Sequence, residues 1–256
     1  MAYSALVLTA GALWGRESLR KGEAFTALFD LLGHAAPLGR SGDGKPRLRP
    51  PLAGLSSLEP TRGLDAVVIV VLGSTTFDGV TRTTWWSDIA NRTSGAANTL
   101  LGTVGLLWAI GLVAVVYAGA MRATARLTQA HDTPAQLSLA FAHSLVPIAF
   151  AYSVAHYFSL LVLEGQGIIS LISDPFGFGW DLFGTADRDV DFNLLSPTAI
   201  SWVQASAIVV GHIAAAVAHD RSLARFARQE AVRAQYPLLA AMVIFTVGGL
   251  FLLLGG

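Results

Sequence analysis

The sequence predicts an all-α protein, a polytopic bundle of transmembrane helices with five full spans and one short N-terminal apolar helix. Three observations carry that expectation. Hydrophobic residues make up 53% of the 256 residues and charged residues only 13%, about half the share of an ordinary soluble domain. The mean hydropathy is +0.56. The apolar residues fall in runs close to the roughly 20 residues a helix needs to cross hydrocarbon. The expectation is a single integral membrane domain over residues 1–256.

Taken in order, the opening MAYSALVLTAGALWG is apolar but short, and reads as a partial span over about 1–15. It lacks the basic start and the cleavage site of a signal peptide, and so reads as the tail of a helix whose beginning is missing. The polar stretch from Arg16 to Arg62 is broken by Pro37, Pro46, Pro50, Pro51 and Pro60. It has too few core residues to fold richly alone. The first full span covers about 63–80, with AVVIVVLGSTTF between Asp65 and Asp78. The second, about 96–120, holds no charge. The third, about 137–163, contains His143, Pro147 and His156. The fourth, about 198–218, contains Gln204 and His212. The fifth, about 236–254, is nearly pure hydrocarbon. Trp108 and the Gly102/Gly105 pair read as packing residues.

Lys and Arg placement orients these spans. Fourteen of the 17 basic residues lie in the segments after Trp14, after Ala120 and after Ala218, leaving Arg82, Arg92 and Arg188 opposite. By the positive-inside rule the three rich segments, including the loop 16–62, are cytoplasmic, and both termini lie outside a plasma membrane. The indoles Trp85, Trp86, Trp180 and Trp202 fall at outer boundaries, where such rings settle. The outer loop 164–197 holds PFGFGWDLFG, an interfacial cap, and then DRDVD. Asp187, Asp189 and Asp191 alternate as in some calcium loops, but the glycine and closing glutamate of such a loop are absent, so a solvated acidic loop is the plainer reading. Ala-His-Asp occurs twice, at 130–132 and 218–220, too short to mark a duplication. Asn91-Arg-Thr93 fits a glycosylation sequon close to the membrane.

Several function classes are excluded. Net charge is zero and there is no cysteine, so neither a global nucleic-acid surface nor thiolate chemistry is present. A Walker phosphate loop, a His-Glu-x-x-His zinc motif and a Gly-x-Ser-x-Gly elbow are all missing. What remains are ionisable groups inside hydrocarbon, each expensive and therefore a functional candidate. His143 and His212 lie about six residues, roughly 9 Å, from the same membrane face on consecutive antiparallel helices. They could meet at one level, with His219 two turns beyond His212 at the cytoplasmic mouth. Pro147 removes the hydrogen bond to the carbonyl of residue 143, which then needs another partner. Ser201, Ala205, Ile208, His212, Ala215 and His219 recur at helical spacing, and the small ones permit close approach. Near the outer surface, His156 shares a face with Tyr152, Ser153 and Ser159, Asp78 ends its own span, and Glu164 follows two turns after His156. His143 and His156 differ by 13 positions, about 220° around a helix, so they belong to separate sites.

The segments GSTTFDG, AHSLVPIAFAYSVAHYFSLLVLEGQ, GHIAAAVAHDRSLARF and AQYPLLAAMVIFTVGGLFLLL together resemble an actinobacterial family of multi-pass membrane proteins named fenitrothion hydrolase. The resemblance covers about Arg16 to the end, the C-terminal portion of those longer proteins, and includes Asp78, His143, His156, His212 and His219. It implies cleavage of organophosphate esters.

Three functions are therefore expected. The leading one is binding and transport of a metal ion, proton or other ion, with His143, His212 and the carbonyl freed by Pro147 as an inner site and Asp78 and His156 as outer access. A divalent transition metal is the expected cofactor, with binding that depends on pH near the imidazole range. The second is a membrane-bound hydrolase using Asp78, His156 and Glu164 to activate water. The third is a non-catalytic subunit that packs against a homo-oligomer or a membrane complex. The bland reading of each histidine is a hydrogen bond to a neighbouring helix, and of Asp78 a helix cap.

Overall fold

α6 (Pro134–Leu163) is the axis on which the other helices are hung. Thr133 starts it with a reciprocal capping box: its amide donates to Gln136 Oε1 at 2.8 Å, and Gln136 N donates to Thr133 Oγ1 at 3.3 Å. Pro134 follows at the first helical position, where a missing N–H costs nothing. From Phe141 to Ala149 every residue is buried. α6 packs on α3 (Leu64–Thr81), α5 (Ala96–Thr128) and α8 (Pro197–Leu223), and α9 (Arg228–Leu254) closes the bundle against α5 and α8. The structure is a computed structural model; it describes residues 2–42, 44–58, 63–128, 132–223 and 226–254.

These five helices are long and apolar enough to cross a membrane, over Leu64–Thr81, Ala96–Thr128, Pro134–Ser173, Pro197–Ala218 and Arg228–Leu252. The five spans fall where hydropathy puts them. The flanking helical turns extend further than the apolar runs, because polar residues such as Arg122 and Arg228 continue a helix into the headgroup region at no cost. Before them, α1 (Ala2–Gly22) is apolar from Tyr3 to Gly15, where φ of 77° breaks the helix.

Lipid supplies no hydrophobic drive for helix association, so close packing and interhelical hydrogen bonds hold the bundle. Glycines set the crossings. A Cβ on Gly73 of α3 would lie 2.6 Å from the Ile110 Cα of α5, and one on Gly211 of α8 would collide with Ala151 and sit 3.0 Å from Pro147 O of α6. The buried face of α8 is thus Gln204, Ile208, Gly211 and Ala215. It is turned about one position from the face that His212, Ser201 and Ala205 suggest, because the residue with no side chain takes the tightest point. Gly105 packs under Phe77 and Trp86, whereas Gly102 meets open space and Trp108 is 56% exposed. The packing role expected for those two is corrected: they line the outward-facing surface.

The segment between α1 and α3 departs most from expectation. It is structured by docking onto the bundle, not alone. α2 (Ala24–Ala35) is capped by Glu23, whose carboxylate accepts from Phe25 N at 2.9 Å and Thr26 N at 2.6 Å and is held down to a pKa of about 2 by the Thr26 hydroxyl, the Tyr3 hydroxyl and these amides. A two-stranded antiparallel hairpin follows, β1 (Leu38–Arg40) with β2 (Pro46–Leu48), and then a 3-10 turn over Ala53–Ser57. At the opposite end lie α4 (Thr84–Ala90) and α7 (Gly167–Ser173).

The crossing at Gly211 gives a direct test. Gly211→Ala should destabilise the bundle by about 1–3 kcal/mol, the usual cost of overpacking, whereas Gly119→Ala, where a Cβ meets nothing, should be neutral or stabilising through helix propensity. Unfolding curves in detergent and SDS mixtures read both.

Candidate functional site

α3 and α6 run in the same direction, and their C-terminal ends, the outer ends expected from the sequence, bring Asp78 and His156 together: Asp78 Oδ2 lies 3.4 Å from His156 Nε2. One turn before Asp78, Ser74, Thr75 and Thr76 return their hydroxyls to carbonyls of their own helix. Beside the pair is a cleft lined by Thr75, Thr76, Arg82, Tyr152, His156 and Ile208, among others, with about 30 Å³ open to water centres. That is room for about two waters.

Tyr152 forms part of the wall, and its hydroxyl donates to Phe245 O of α9. It reaches that carbonyl by lying over Gly249, where any side chain would collide with it. The Tyr152 ring stands edge-on to the His212 ring, 6.2 Å between centroids. His212 donates from Nδ1 to Ile208 O at 2.7 Å, while its Nε2 is buried and has no hydrogen-bond partner among the described residues.

His143 lies deeper still. Its Nδ1 is 3.0 Å from Ala140 O and its Nε2 is 3.0 Å from Ala218 O. Carbonyls only accept, so a neutral ring serves one of them, and taking up a proton lets it serve both. Ala218 is six residues past His212 on α8, so the two imidazoles stand about 9 Å apart along the helix axis. His143 and His212 therefore do not share the single inner site that equal depth suggested. The helices cross at Gly211 with a stagger that hydropathy cannot supply. The side chain of His219 lies outside the described residues.

Past His143, toward the basic end, sequence reasoning missed a third station. Ser138 Oγ donates to Asp65 Oδ2 at 2.7 Å, and Tyr117 OH donates to Ser138 O at 2.6 Å. Asp65 reads in the sequence as a flanking charge. Its signal is the 13-residue interval to Asp78, which puts one carboxylate at each end of α3. Arg82, also missed, joins the outer cleft. Of the remaining candidates, Glu164 is exposed at the end of α6 and is not among the residues lining the cleft. Ser201 donates to Pro197 O in the first turn of α8, and buried Pro147 faces Gly211.

Among the described residues no three His, Asp or Glu side chains converge closely enough to hold a metal ion, and both His143 nitrogens already face carbonyl oxygens. The expected transition-metal site does not fit these groups. Asp187, Asp189 and Asp191 are exposed. Comparison with protein-family models, with characterised proteins and with solved structures finds no match to this chain.

The loop between α7 and α8 is built around two aspartates. Asp174 accepts from Phe178 N at 2.9 Å and Gly179 N at 2.8 Å, which gathers the rings of Phe176, Phe178 and Trp180 into mutual contact. Asp181 accepts from Ser173 Oγ at 2.9 Å and Ala186 N at 3.0 Å. The Ala186 amide, then the Ser173 hydroxyl, hold its carboxyl below the usual carboxylate range. A depressed carboxylate stabilises the folded loop above its unfolded pKa of about 3.9, and that contribution disappears as pH falls through the lower folded value. Amide exchange at Phe183 and Ala186 should stay protected from pH 7 to 5 and lose protection below about pH 4. Asp181→Asn should show the loss already at pH 7.

Proposed function

We propose that this protein moves protons across the bilayer, taking them up at Asp78–His156, passing them by His212 and His143, and releasing them toward Ser138–Asp65, or the reverse. The observation that carries the reading is the outer pair itself: a carboxylate and an imidazole 3.4 Å apart beside a water-sized cleft whose wall, Tyr152, touches the half-buried imidazole of His212, whose Nε2 has no hydrogen-bond partner among the described residues. Counted along α6, His156, Tyr152, the level of His212 and His143 are separated by about one to one and a half turns, so the series spans roughly 20 Å. These gaps exceed one hydrogen bond, so transfer needs bridging water or ring rotation.

Size selects among the alternatives. Room for about two waters admits a hydrated proton. It favours that ion over an aryl phosphotriester, the substrate class implied by the resemblance to fenitrothion hydrolases. The Lys and Arg bias of the loops supports a cytoplasmic Asp65 end, with Asp78–His156 as the external mouth in a cell membrane.

Reconstituted into liposomes with an internal pH dye and a potassium diffusion potential, the protein should acidify the lumen faster than empty vesicles. His156→Ala and Asp78→Asn should each slow that flux roughly 10²-fold, the scale on which losing a positioned proton-transfer group acts. Flux equal to empty vesicles for the unsubstituted protein sinks the reading, and so does full flux in both variants.

A further inference from the structure

The two ends of the bundle are built differently. At the outer end the helices part around the cleft at His156. At the basic end the space between them is filled by a segment that spans nothing. Leu55 is 1% exposed and Leu58 7%, and both belong to the core that contains Leu137, Phe141 and Leu223. Their 3-10 turn packs on α2, α6 and α8, and the last two are the helices that carry His143 and His212.

The segment is held by a clamp. The Arg49 guanidinium donates to three carbonyls at the end of α2: Gly33 O at 2.7 Å, His34 O at 3.0 Å and Ala36 O at 3.0 Å. Positive charge belongs at a helix C-terminus, where the last carbonyls lack partners. Gly54 lies so close to this cap that a Cβ would strike the Arg49 guanidinium and His34 O. Leu52 N donates to Ala35 O at 2.8 Å. To make that bond and turn into the bundle, Leu52 adopts φ 67°, the left-handed region a branched side chain rarely enters. Strain of this kind persists only where the surroundings over-determine it, and it biases the segment toward release.

We propose that residues 52–58 are an inner plug, a strap that seals the basic end of the histidine series and lifts to give water access to His143 from that side. What the plug gates rests on the proton reading above; the closure itself does not. With the outer cleft open and the inner end sealed, this conformation is the outward-facing half of an alternating-access cycle.

Because the chain contains no cysteine, one introduced thiol reports access. Ala140 is buried in the core that also holds Leu55 and Leu58, and its carbonyl faces His143 Nδ1, so Ala140→Cys places the thiol one turn from His143 toward the basic end. In inverted membrane vesicles, a charged, membrane-impermeant thiol reagent applied to the basic side should modify it slowly. Adding Gly54→Ala, which cannot seat against the cap, or Arg49→Gln, which removes the clamp without adding bulk, should speed modification about tenfold or more through local opening. Ala109→Cys, buried between α3 and α5, should stay slow in both, which separates a lifted strap from a misfolded bundle. Rapid labelling of Ala140→Cys alone, or an unchanged rate with Arg49→Gln, overturns the plug. Faster labelling without any proton flux keeps the plug and removes the proton pathway.

Discussion

Hydrocarbon offers a polar atom no partner, so each one buried in this bundle has to be satisfied by another helix or by its own. That constraint explains why α6 is the centre. It carries buried His143 and half-buried Ser138 and His156, and its neighbours supply what these groups need: Ala218 O for His143, Asp65 for Ser138 and Asp78 for His156, while its own Ala155 O accepts from Gln204 Nε2 at 2.9 Å. Thr75, Thr76 and Ser153 instead return their hydroxyls to the preceding turn and cost nothing. A helix with this inventory cannot face lipid, and the run of buried residues from Phe141 to Ala149 follows. Tight crossings then become obligatory, because a carbonyl three ångströms from an imidazole requires backbones brought together by Gly73 and Gly211.

Much of the architecture was legible because lipid imposes a coarse rule on composition. A charge-free run such as 96–120 has one solution, and alternating basic loops test the count of spans independently. The outer pair was legible too: Asp78 and His156 end spans of the same direction on the same side. What was not legible is rotation and stagger. The inner site inferred from equal depth fails since depth counted from a helix end ignores how α8 slides on α6, and Gly211 fixes that slide. The docked segment was hidden for a different reason. Five prolines and a string of basic residues read as solvated chain, while the residues that matter, Leu55, Leu58 and Gly54, are individually ordinary. Their role comes from one long-range clamp, Arg49 on the end of α2, which no local pattern announces. Asp65 reads in the sequence only as a charge flanking its span, because its partner Ser138 lies 73 residues away.

The buried lone pair of His212 carries a cost, since among the described residues it is the buried side-chain polar atom without a hydrogen-bond partner. A neutral imidazole nitrogen without a donor forfeits the hydrogen bond it had in water, a loss of about 1–3 kcal/mol. An apolar residue of similar shape would remove the cost, and the helix would pack no worse. The cost is understandable where the nitrogen is occupied transiently. Its nearest ring, Tyr152, stands between it and the cleft at His156, and Tyr152 holds its place through one hydrogen bond to Phe245 O over a glycine. Rotating that single side chain would admit water to His212 without moving a helix. On the other side the obstacle is not a side chain but a folded segment. In the proposed proton pathway, access to His212 and His143 from the two ends of the bundle would then be controlled by elements of different size, a ring at one end and a strap at the other, and imidazoles opened alternately by the two would exchange protons with each side without joining them by a continuous column of water.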